Sequence, residues 1–191
     1  MILGIDISEN NGYVDWDAVK EAGVKFAIIR CSYGMQSRDP MFARNVSEAH
    51  ARGIKCGAYH YGYGLNPDEA RAEAINCKNA IAEAGVLLEL PVFYDLEDAD
   101  GFKVRYGFEF TQENCTEMCR TFLDNLGLNG GVYASYSWFC DKIDWQSLNC
   151  PVWNAQWGNS DDLKGYIWQF TDSLEIGGRI FDGNYMYLEE I

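Results

Sequence analysis

Basic residues are scarce in this sequence: 15 Lys and Arg stand against 29 Asp and Glu, which gives a formal net charge of −14 at pH 7. Nucleic acids and anionic membranes bind basic patches, so we expect neither as a partner. No run approaches the roughly 18–20 consecutive apolar residues of a membrane span, so we expect no membrane insertion. The opening stretch MILGIDIS lacks a basic segment and a small-residue cleavage site, which predicts synthesis in the cytoplasm without a signal peptide.

The motifs of several enzyme classes are also missing. The stretch GYGLN at 62–66 lacks the lysine and spacing of a phosphate-binding loop, and no GxSxG or Cys/His pair indicates acyl transfer. The seven cysteines form no CxxC, and an odd number fits neither a disulfide framework nor a zinc ribbon. We interpret them as buried thiols in a reducing compartment. Cys115 and Cys119 lie one helical turn apart, but no histidine lies near them, so we expect no metal or other cofactor.

Eight segments are rich in β-branched and aromatic residues and are bounded by Gly, Pro, Asn or Asp, which is typical of strands. They are ILGIDIS (2–8), FAIIRCSYG (26–34), IKCGAYHYGYG (54–64), LPVFYDLED (90–98), GGVYASYS (130–137), PVWNAQWG (151–158), YIWQFTDS (166–173) and RIFDGNYMY (179–187). Helical patterns fill the first four gaps, a weaker one lies near 138–148, and only short turns join the last three strands. Alternation of strands and helices predicts a parallel sheet. Eight strands predict an α/β barrel, in one domain spanning 1–191.

The first four helical patterns carry signals at both ends. The predicted starts are Asp15, Asp39-Pro40, Asn66-Pro67 and Thr111, and the predicted stops are Gly23, Gly53, Gly85 and Gly127. These signals agree with the apolar periodicity between them, so the helices are expected to cover the outer face of the barrel.

Acidic residues fall late in three of the predicted strands. Side chains alternate along a strand, so Asp6 shares a face with Gly4, opposite the apolar residues that would pack under helices. By the same alternation Asp95 and Glu97 share one face of the fourth strand, and Asp182 falls late on the eighth. Barrel enzymes place their chemistry at the carboxyl ends of the strands. The sequence therefore predicts that these four acids meet in one pocket.

The spacing of Asp95 and Glu97 is not specific by itself. Asp98 and Asp100 have the same spacing, and we interpret those two as solvated loop residues. Asp95 and Glu97 could equally be a strand end that meets water, but the convergence of independent strands favours a site. Clustered carboxylates without a histidine pattern are typical of glycoside hydrolysis or of a hard-cation site for Mg²⁺ or Ca²⁺.

Aromatic residues at late strand positions help to choose between these chemistries. They are Tyr33, Tyr61, Tyr63, Tyr133, Trp153, Trp157 and Trp168. Aromatic faces stack on sugar rings, and the polar tips of Tyr and Trp can bond hydroxyl groups. Core packing is the better interpretation for any one of them, whereas the group favours a sugar groove. His60 points away from its neighbours Tyr59 and Tyr61, and we interpret it as a core histidine or one that supports the site from behind.

The ordered stretches GIDIS, FARNVSEAHARGIKCGAYHYG, YDLED, VWNAQWG, WQF and FDGN resemble the glycoside hydrolase family 25 muramidases. These are the Chalaropsis-type lysozymes, common as catalytic domains of phage endolysins, and the resemblance covers nearly the whole chain. It implies a flattened (β/α)5β3 barrel that cleaves the β-1,4 bond from N-acetylmuramic acid to N-acetylglucosamine in peptidoglycan. The expected partner is bacterial cell-wall peptidoglycan, reached after release from the cell. Many members carry a wall-binding module after the barrel, and we expect none in this sequence.

The resemblance also implies roles for the four acids. The DxE motif of the family falls on Asp95 and Glu97, with Glu97 as the general acid, and its other acids fall on Asp6 and Asp182. As negative neighbours, these three aspartates would raise the pKa of Glu97. They would also stabilise positive charge at the anomeric carbon. Asp95 could instead orient the substrate's acetamido group as an internal nucleophile, and the choice between that group and a protein carboxylate stays open.

The same resemblance places the substrate-groove aromatics on Tyr61, Tyr133 and Trp153. Tyr33 is a further candidate contact, although the second-strand motif of the family has an acidic residue there. A chitin-type glycosidase and a non-catalytic glycan-binding barrel are the alternative functions. The crowded charge disfavours a pure binder, because binding needs the aromatics but not four acids.

Overall fold

The computed structural model describes residues 1–187, and within that range eight strands close into a barrel with helices outside it. The strands are β1 (Ile2–Ile7), β2 (Phe26–Tyr33), β3 (Ser37–Arg38), β4 (Lys55–Tyr61), β5 (Val92–Asp95), β6 (Gly130–Ser135), β7 (Val152–Ala155), β8 (Ile167–Ile176) and β9 (Arg179–Met186). The helices are α1 (Trp16–Glu21), α2 (Phe42–Ala51), α3 (Pro67–Ala84), α4 (Phe102–Arg105), α5 (Gln112–Leu126), α6 (Tyr136–Asp141) and α7 (Trp145–Leu148), with a 3₁₀ helix at Glu9–Asn11.

The strand pairing confirms the predicted barrel. From β1 through β2, β4, β5, β6 and β7 to β8, every neighbouring pair is parallel. The last strand, β9, lies antiparallel between β8 and β1 and closes the ring. The short strand β3 pairs with the end of β2 outside the barrel. The arrangement is the flattened (β/α)5β3 barrel that the sequence predicts, with one extra strand.

The connections late in the chain differ from the prediction in part. The link from β7 to β8 is a parallel crossover rather than a simple turn, and no helix lies in it over the described residues 156–166. The link from β8 to β9 is a tight hairpin at Gly177 and Gly178, whose φ values of 59° and 75° suit glycine. The helical pattern near 138–148 forms two helices, α6 and α7, instead of one.

Three of the four predicted helix starts are confirmed by side-chain caps. The side chains of Asp15, Asn66 and Thr111 each accept a hydrogen bond from a backbone N–H in the first turn of their helix. A cap satisfies an N–H that has no partner within the helix, and typically contributes about 1 kcal/mol. These local signals therefore fix where the outer helices begin.

The predicted start at Asp39 is wrong. Helix α2 begins at Phe42, and the Asp39 carboxylate is used elsewhere. It accepts hydrogen bonds from the backbone N–H of Glu9 at 2.8 Å, from that of Met41 at 2.9 Å and from Nε of Arg30 at 3.0 Å. Asp39 thus ties the 3₁₀ helix to β2 instead of capping α2.

The core has two layers, as the alternation of side chains requires. Ile5 and Ile7 of β1 pack in the layer between barrel and helices, whereas Phe26, Phe93 and Trp153 fill the barrel interior. The expectation of buried thiols holds for five cysteines but is wrong for exposed Cys140 and half-buried Cys150. Among the helices described within 1–187, none combines the length and the apolar character needed to cross a bilayer.

Inside the barrel, Gly4 packs directly against the aromatic ring of Phe26. A Cβ at Gly4 would lie 2.3 to 2.5 Å from three ring atoms of Phe26, so no larger residue fits without displacing that ring. We expect Gly4→Ala to lower the free energy of unfolding by about 1–3 kcal/mol, the usual effect of overpacking a core. Denaturant unfolding measures this, and Gly4→Ala combined with Phe26→Leu should recover part of the loss. Unchanged stability in the single variant would contradict this packing.

Candidate active site

The four predicted acids line one cavity at the carboxyl ends of the parallel strands. Asp6 lies on β1, Asp182 on β9 and Asp95 at the end of β5, and Glu97 follows two residues later. The cavity has a volume of about 550 Å³, within the usual range of about 300–1,000 Å³ for ligand-binding clefts. The fold therefore brings together the four predicted acids, while their roles stay predictions. The expected late position is wrong for Asp182, which reaches the cavity from the middle of the antiparallel strand β9.

Asp6 and Asp182 stand directly opposite each other in the antiparallel pair of β1 and β9. Side chains in such positions have Cβ atoms about 4.5–5.5 Å apart, so two ionised carboxylates there repel. Burial and the facing Asp182 raise the pKa of Asp6, and burial and Asp172 raise the pKa of Asp182. The pair is therefore built to hold a proton more tightly than free carboxylates do.

The pKa values of Asp95 and Glu97 are raised too. Burial is the largest cause for both, and the charge of Glu97 is the next cause for Asp95. For Glu97, Lys103 opposes the rise, while Asp182 and two acids of the following loop add to it. The raised pKa of Glu97 agrees in direction with the prediction, but of the three aspartates predicted to cause it only Asp182 contributes. The main cause of the rise is removal from water, and negative neighbours come second.

Two amide side chains hold Asp6 in place. Its Oδ2 accepts hydrogen bonds from Nδ2 of Asn184 at 2.7 Å and from Nε2 of Gln169 at 3.0 Å. Trp153 donates its indole N–H to Oδ1 of Asn184 at 2.8 Å, and Tyr133 donates its hydroxyl to Oε1 of Gln169 at 3.1 Å. The polar tips of these two aromatics thus donate hydrogen bonds inside the protein, and their predicted contact with sugar stays a prediction.

Gln169 and Asn184 are functional residues that the sequence reasoning missed. Both lie inside stretches that carried the family resemblance, WQF and FDGN, so a signal was present. Alternation also places Asn184 on the same face of β9 as Asp182, and Gln169 on the face of β8 opposite Trp168. The pattern used to select candidates consisted of acidic and aromatic residues, so these two neutral amides were not among them.

Five of the seven predicted aromatics line the cavity, namely Tyr33, Tyr61, Tyr63, Tyr133 and Trp153. Tyr59, which was not predicted, lines it as well. The expectation is wrong for Trp168, whereas it stays a prediction for Trp157, whose indole N–H donates to Oε1 of the cavity residue Gln169 at 3.1 Å. Trp168 lies beside Phe170 and Tyr185, and its indole N–H donates to the backbone oxygen of Gln156 at 2.7 Å. Because Gln169 points inward, its neighbour on the strand must point outward. Trp157 is 61% exposed beyond the end of β7.

The wall at the end of β2 is built on a cation and an aromatic ring. The guanidinium carbon of Arg30 lies 4.9 Å from the centre of the Tyr33 ring. Arg30 also forms ion pairs with Glu9 at 2.8 Å and with Asp39 at 3.0 Å. At Tyr33 this chain therefore presents a ring supported by an arginine that is paired with two carboxylates.

Asp98 and Asp100 lie in the loop after β5, half-buried and exposed, as interpreted from the sequence, and both also form hydrogen bonds there. Asp98 accepts hydrogen bonds from two backbone N–H groups of α4, at 2.7 and 3.1 Å. Asp100 accepts from the backbone N–H of Phe102 at 3.0 Å and from the hydroxyl of Tyr63 at 3.0 Å. Together they shape the loop so that Lys103 is buried against the site, a placement that depends on the loop path and has no local sequence signal.

His60 lies behind the cavity, as interpreted from the sequence. It is fully buried, and its Nδ1 lies 2.8 Å from Oγ of Ser32. Its Nε2 lies 3.9 Å from the buried carboxylate of Glu73. Glu73 accepts hydrogen bonds from the backbone N–H groups of Tyr63 at 2.6 Å and Gly64 at 2.9 Å. This group fixes the segment that follows β4 at the cavity edge.

Comparison with known proteins gives one family. The model of Glycosyl hydrolases family 25 matches residues 5–179. The chain is 29% identical over 181 residues to the autolytic lysozyme of Clostridium acetobutylicum, with 92% of this chain and 52% of the relative covered. It is 28% identical over 195 residues to lysozyme M1 of Streptomyces globisporus, with 93% and 64% covered. The chain thus spans about half of the first relative and less than two thirds of the second.

A solved structure confirms the fold class. The bacterial lysozyme from Streptomyces coelicolor matches with a TM-score of 0.79 at 25% identity, and the match covers 97% of this chain and 92% of that chain. The similarity therefore extends over the whole barrel and is not confined to the strand ends that carry the acids.

Burial of the acids predicts a measurable effect on stability. Because the pKa of Asp95 is raised in the folded state, its contribution to stability is present below the unfolded pKa and is lost as the pH rises through the folded pKa. Asp95→Asn should therefore raise Tm at pH 7 by about 2 °C or more, a shift that thermal scans resolve in a chain of this size. The gain should shrink at pH 4.

The matched control for this variant is Asp124→Asn, which removes an exposed charge from α5. Its Tm should differ little from that of the wild type at either pH. A lower Tm for Asp95→Asn at pH 7, or a gain that does not depend on pH, would contradict the account of the buried carboxylate.

Proposed function

The chain belongs to glycosyl hydrolases family 25, and we propose that it is an N-acetylmuramidase acting on the bacterial cell wall. The bond cleaved is the β-1,4 linkage from N-acetylmuramic acid to N-acetylglucosamine in peptidoglycan. The observation that carries the proposal is the meeting of four carboxylates in one aromatic-walled cavity at the carboxyl ends of the strands. That combination fits a glycosidase, which needs one protonated acid beside carboxylates that stabilise positive charge.

Glu97 is the proposed general acid. It is half-buried at the cavity wall, so it can reach a substrate while burial raises its pKa. A carboxylic acid that keeps its proton nearer to neutral pH can protonate the leaving oxygen of the glycosidic bond. The neighbouring Asp182 adds to this effect through its negative charge.

Asp95 is proposed to hold the acetamido group of the sugar. It is 5% exposed, and its Oδ1 is buried without a hydrogen-bond partner among the described residues. An unpaired buried acceptor is unfavourable, and an acetamido N–H of the substrate would satisfy it. This supports the acetamide oxygen as the attacking group, in preference to a protein carboxylate.

Asp6 and Asp182 are proposed to stabilise the positive charge that develops at the anomeric carbon. Asp6 is fixed by its two amide donors, so it need not reorganise when the charge appears. The rings of Tyr61, Tyr133 and Tyr33 supply the walls against which sugar rings stack, and the buried ring of Trp153 supports Tyr133 from the barrel interior.

A digest of purified Gram-positive cell wall tests the proposed function. The new reducing ends should be N-acetylmuramic acid, identified by reduction and mass spectrometry of the products. Glu97→Gln should lower kcat by roughly 10²–10⁴-fold, the usual contribution of a general acid. The control Glu21→Gln, at the exposed end of α1, should keep wild-type activity.

Other products would give a different answer. Reducing ends of N-acetylglucosamine, or free amines, would exclude a muramidase, and rapid cleavage of soluble chitin oligomers would favour a chitin-type enzyme. Binding to the wall without any product would favour a glycan-binding barrel. Loss of activity in EDTA would indicate a hard cation, for which no three-ligand His, Cys, Asp or Glu cluster occurs within residues 1–187.

A further inference from the structure

Lys103 is a lysine buried next to the acids of the cavity. It belongs to α4, on the loop that follows β5, and is 1% exposed. Lysine is almost never fully buried unless its ammonium group is satisfied by partners. Here Nζ donates hydrogen bonds to the backbone oxygen of Gly62 and, at 2.9 Å, to that of Glu97. The second acceptor belongs to the proposed general acid itself.

These two hydrogen bonds join the ends of neighbouring strands. Gly62 follows β4, and Glu97 follows β5. The segment after β4 is also held from its other side, because Glu73 accepts the backbone N–H groups of Tyr63 and Gly64. Lys103 therefore connects the backbone of Glu97 to a segment that is already fixed.

The backbone of Lys103 is fixed as well. Its N–H donates to the carboxylate of Asp98 at 2.7 Å, which holds the start of α4 close to the end of β5. The ammonium group also lies 5.9 Å from the ring centres of both Tyr61 and Tyr63, within the range of a cation–π contact. The lysine thus has one defined position relative to the cavity.

The charge of Lys103 faces groups from each element packed around it. They are Glu73 of α3, Asp95 and Glu97 at the end of β5, Asp98 of the following loop, Cys115 and Cys119 of α5, and the two tyrosines. Burial lowers the pKa of Lys103, and the surrounding carboxylates counter that effect. In turn its charge lowers the pKa of both Asp95 and Glu97, against the effect of their burial.

We propose that Lys103 is a positioning residue that fixes the backbone of Glu97 and, through its positive charge, sets the pH range in which one carboxyl of the Glu97–Asp95 pair is protonated while the other is ionised. The proposal rests on the proposed function, because that pair of protonation states is what glycoside cleavage here requires. Lys103 itself does not touch the substrate; it acts through Glu97 and Asp95.

The positive charge of Lys103 affects both the low-pH and the high-pH limb of the pH profile of kcat/KM. Activity is lost at low pH when both carboxyls of the Asp95–Glu97 pair hold protons, and at high pH when both have lost them. Without the ammonium group, both carboxyl groups hold their protons to higher pH. Removal of the charge therefore displaces both limbs in the same direction, which a purely structural defect does not do.

The test is the pH dependence of kcat/KM on soluble peptidoglycan fragments of defined length. Lys103→Met and Lys103→Gln, which remove the charge, should displace both limbs to higher pH by at least about half a unit. Lys103→Gln keeps a neutral donor and should lose less of the maximum rate. Lys103→Arg keeps the charge and should leave both limbs at their wild-type positions.

The matched control is Arg105→Met, which removes one positive charge from the exposed end of the same helix. Its limbs should not move. Limbs that stay at wild-type positions in both Lys103→Met and Lys103→Gln, with only a lower Tm or kcat, would overturn the proposal and leave Lys103 a structural residue. Equal displacement in Arg105→Met would overturn it too, because the effect would then be one of net charge.

A measurement on the wild type covers the case in which the variants do not fold. The ¹³Cε resonance of Lys103 reports its charge, and the proposal requires the ammonium form throughout the pH range of activity. A neutral Lys103 at the pH of maximal activity would overturn the proposal. Absence of muramidase activity in the wild type is a different result and would refute the proposed function.

Discussion

Four carboxylates meet at one end of the barrel, Asp6 and Asp95 buried and Glu97 and Asp182 half-buried, and the surrounding side chains are arranged around their charge. Carboxylates lose hydration there and repel one another, so their ionised forms are unfavourable. The fold leaves them no alternative position, because strand register sets Asp6 opposite Asp182 and alternation sends Asp95 inward. The unfavourable energy therefore appears as raised pKa values. The same burial that destabilises the ions supplies a protonated acid, which links the stability of the fold to its chemistry.

Different groups surround the two halves of the acid cluster, which are the Asp6–Asp182 pair and the Asp95–Glu97 pair. Around Asp6 it uses neutral donors, the amides of Gln169 and Asn184, which are held in turn by a phenol and an indole. Near Asp95 and Glu97 it uses a buried cation, Lys103. The neutral donors fix Asp6 and lower the pKa of that one carboxyl, whereas the cation lowers the pKa of both Asp95 and Glu97. An acid cluster with one proton donor and several ionised members needs both devices, because its members must differ in their protonation.

Local rules were enough to predict the barrel and the four acids from the sequence. Asp15, Asn66 and Thr111 could be recognised as caps because each side chain bonds a backbone N–H in the first turn of its own helix. The face on which a strand residue lies likewise depends only on its position relative to its neighbours in the strand. Asp39 failed as a cap because its partners include Glu9 and Arg30, which lie far away in sequence. The burial of Lys103 follows from the path of a loop, and no periodicity encodes it. Parity shows only that Trp168 and Gln169 face opposite ways, and the contact of Gln169 with Asp6 in the folded barrel decides which of them faces inward.

We expect the Glu97 carboxyl to hold its proton more tightly in the folded protein than a free glutamate does in water. Titration of the Glu97 side-chain carboxyl carbon by ¹³C NMR, in glutamate-labelled protein and assigned by comparison with Glu97→Gln, measures this directly. We expect the titration curve of Glu97 to have its midpoint above the ordinary glutamate pKa of about 4.3. A second inflection should appear as the neighbouring acids titrate. A midpoint at or below that ordinary value would contradict this expectation.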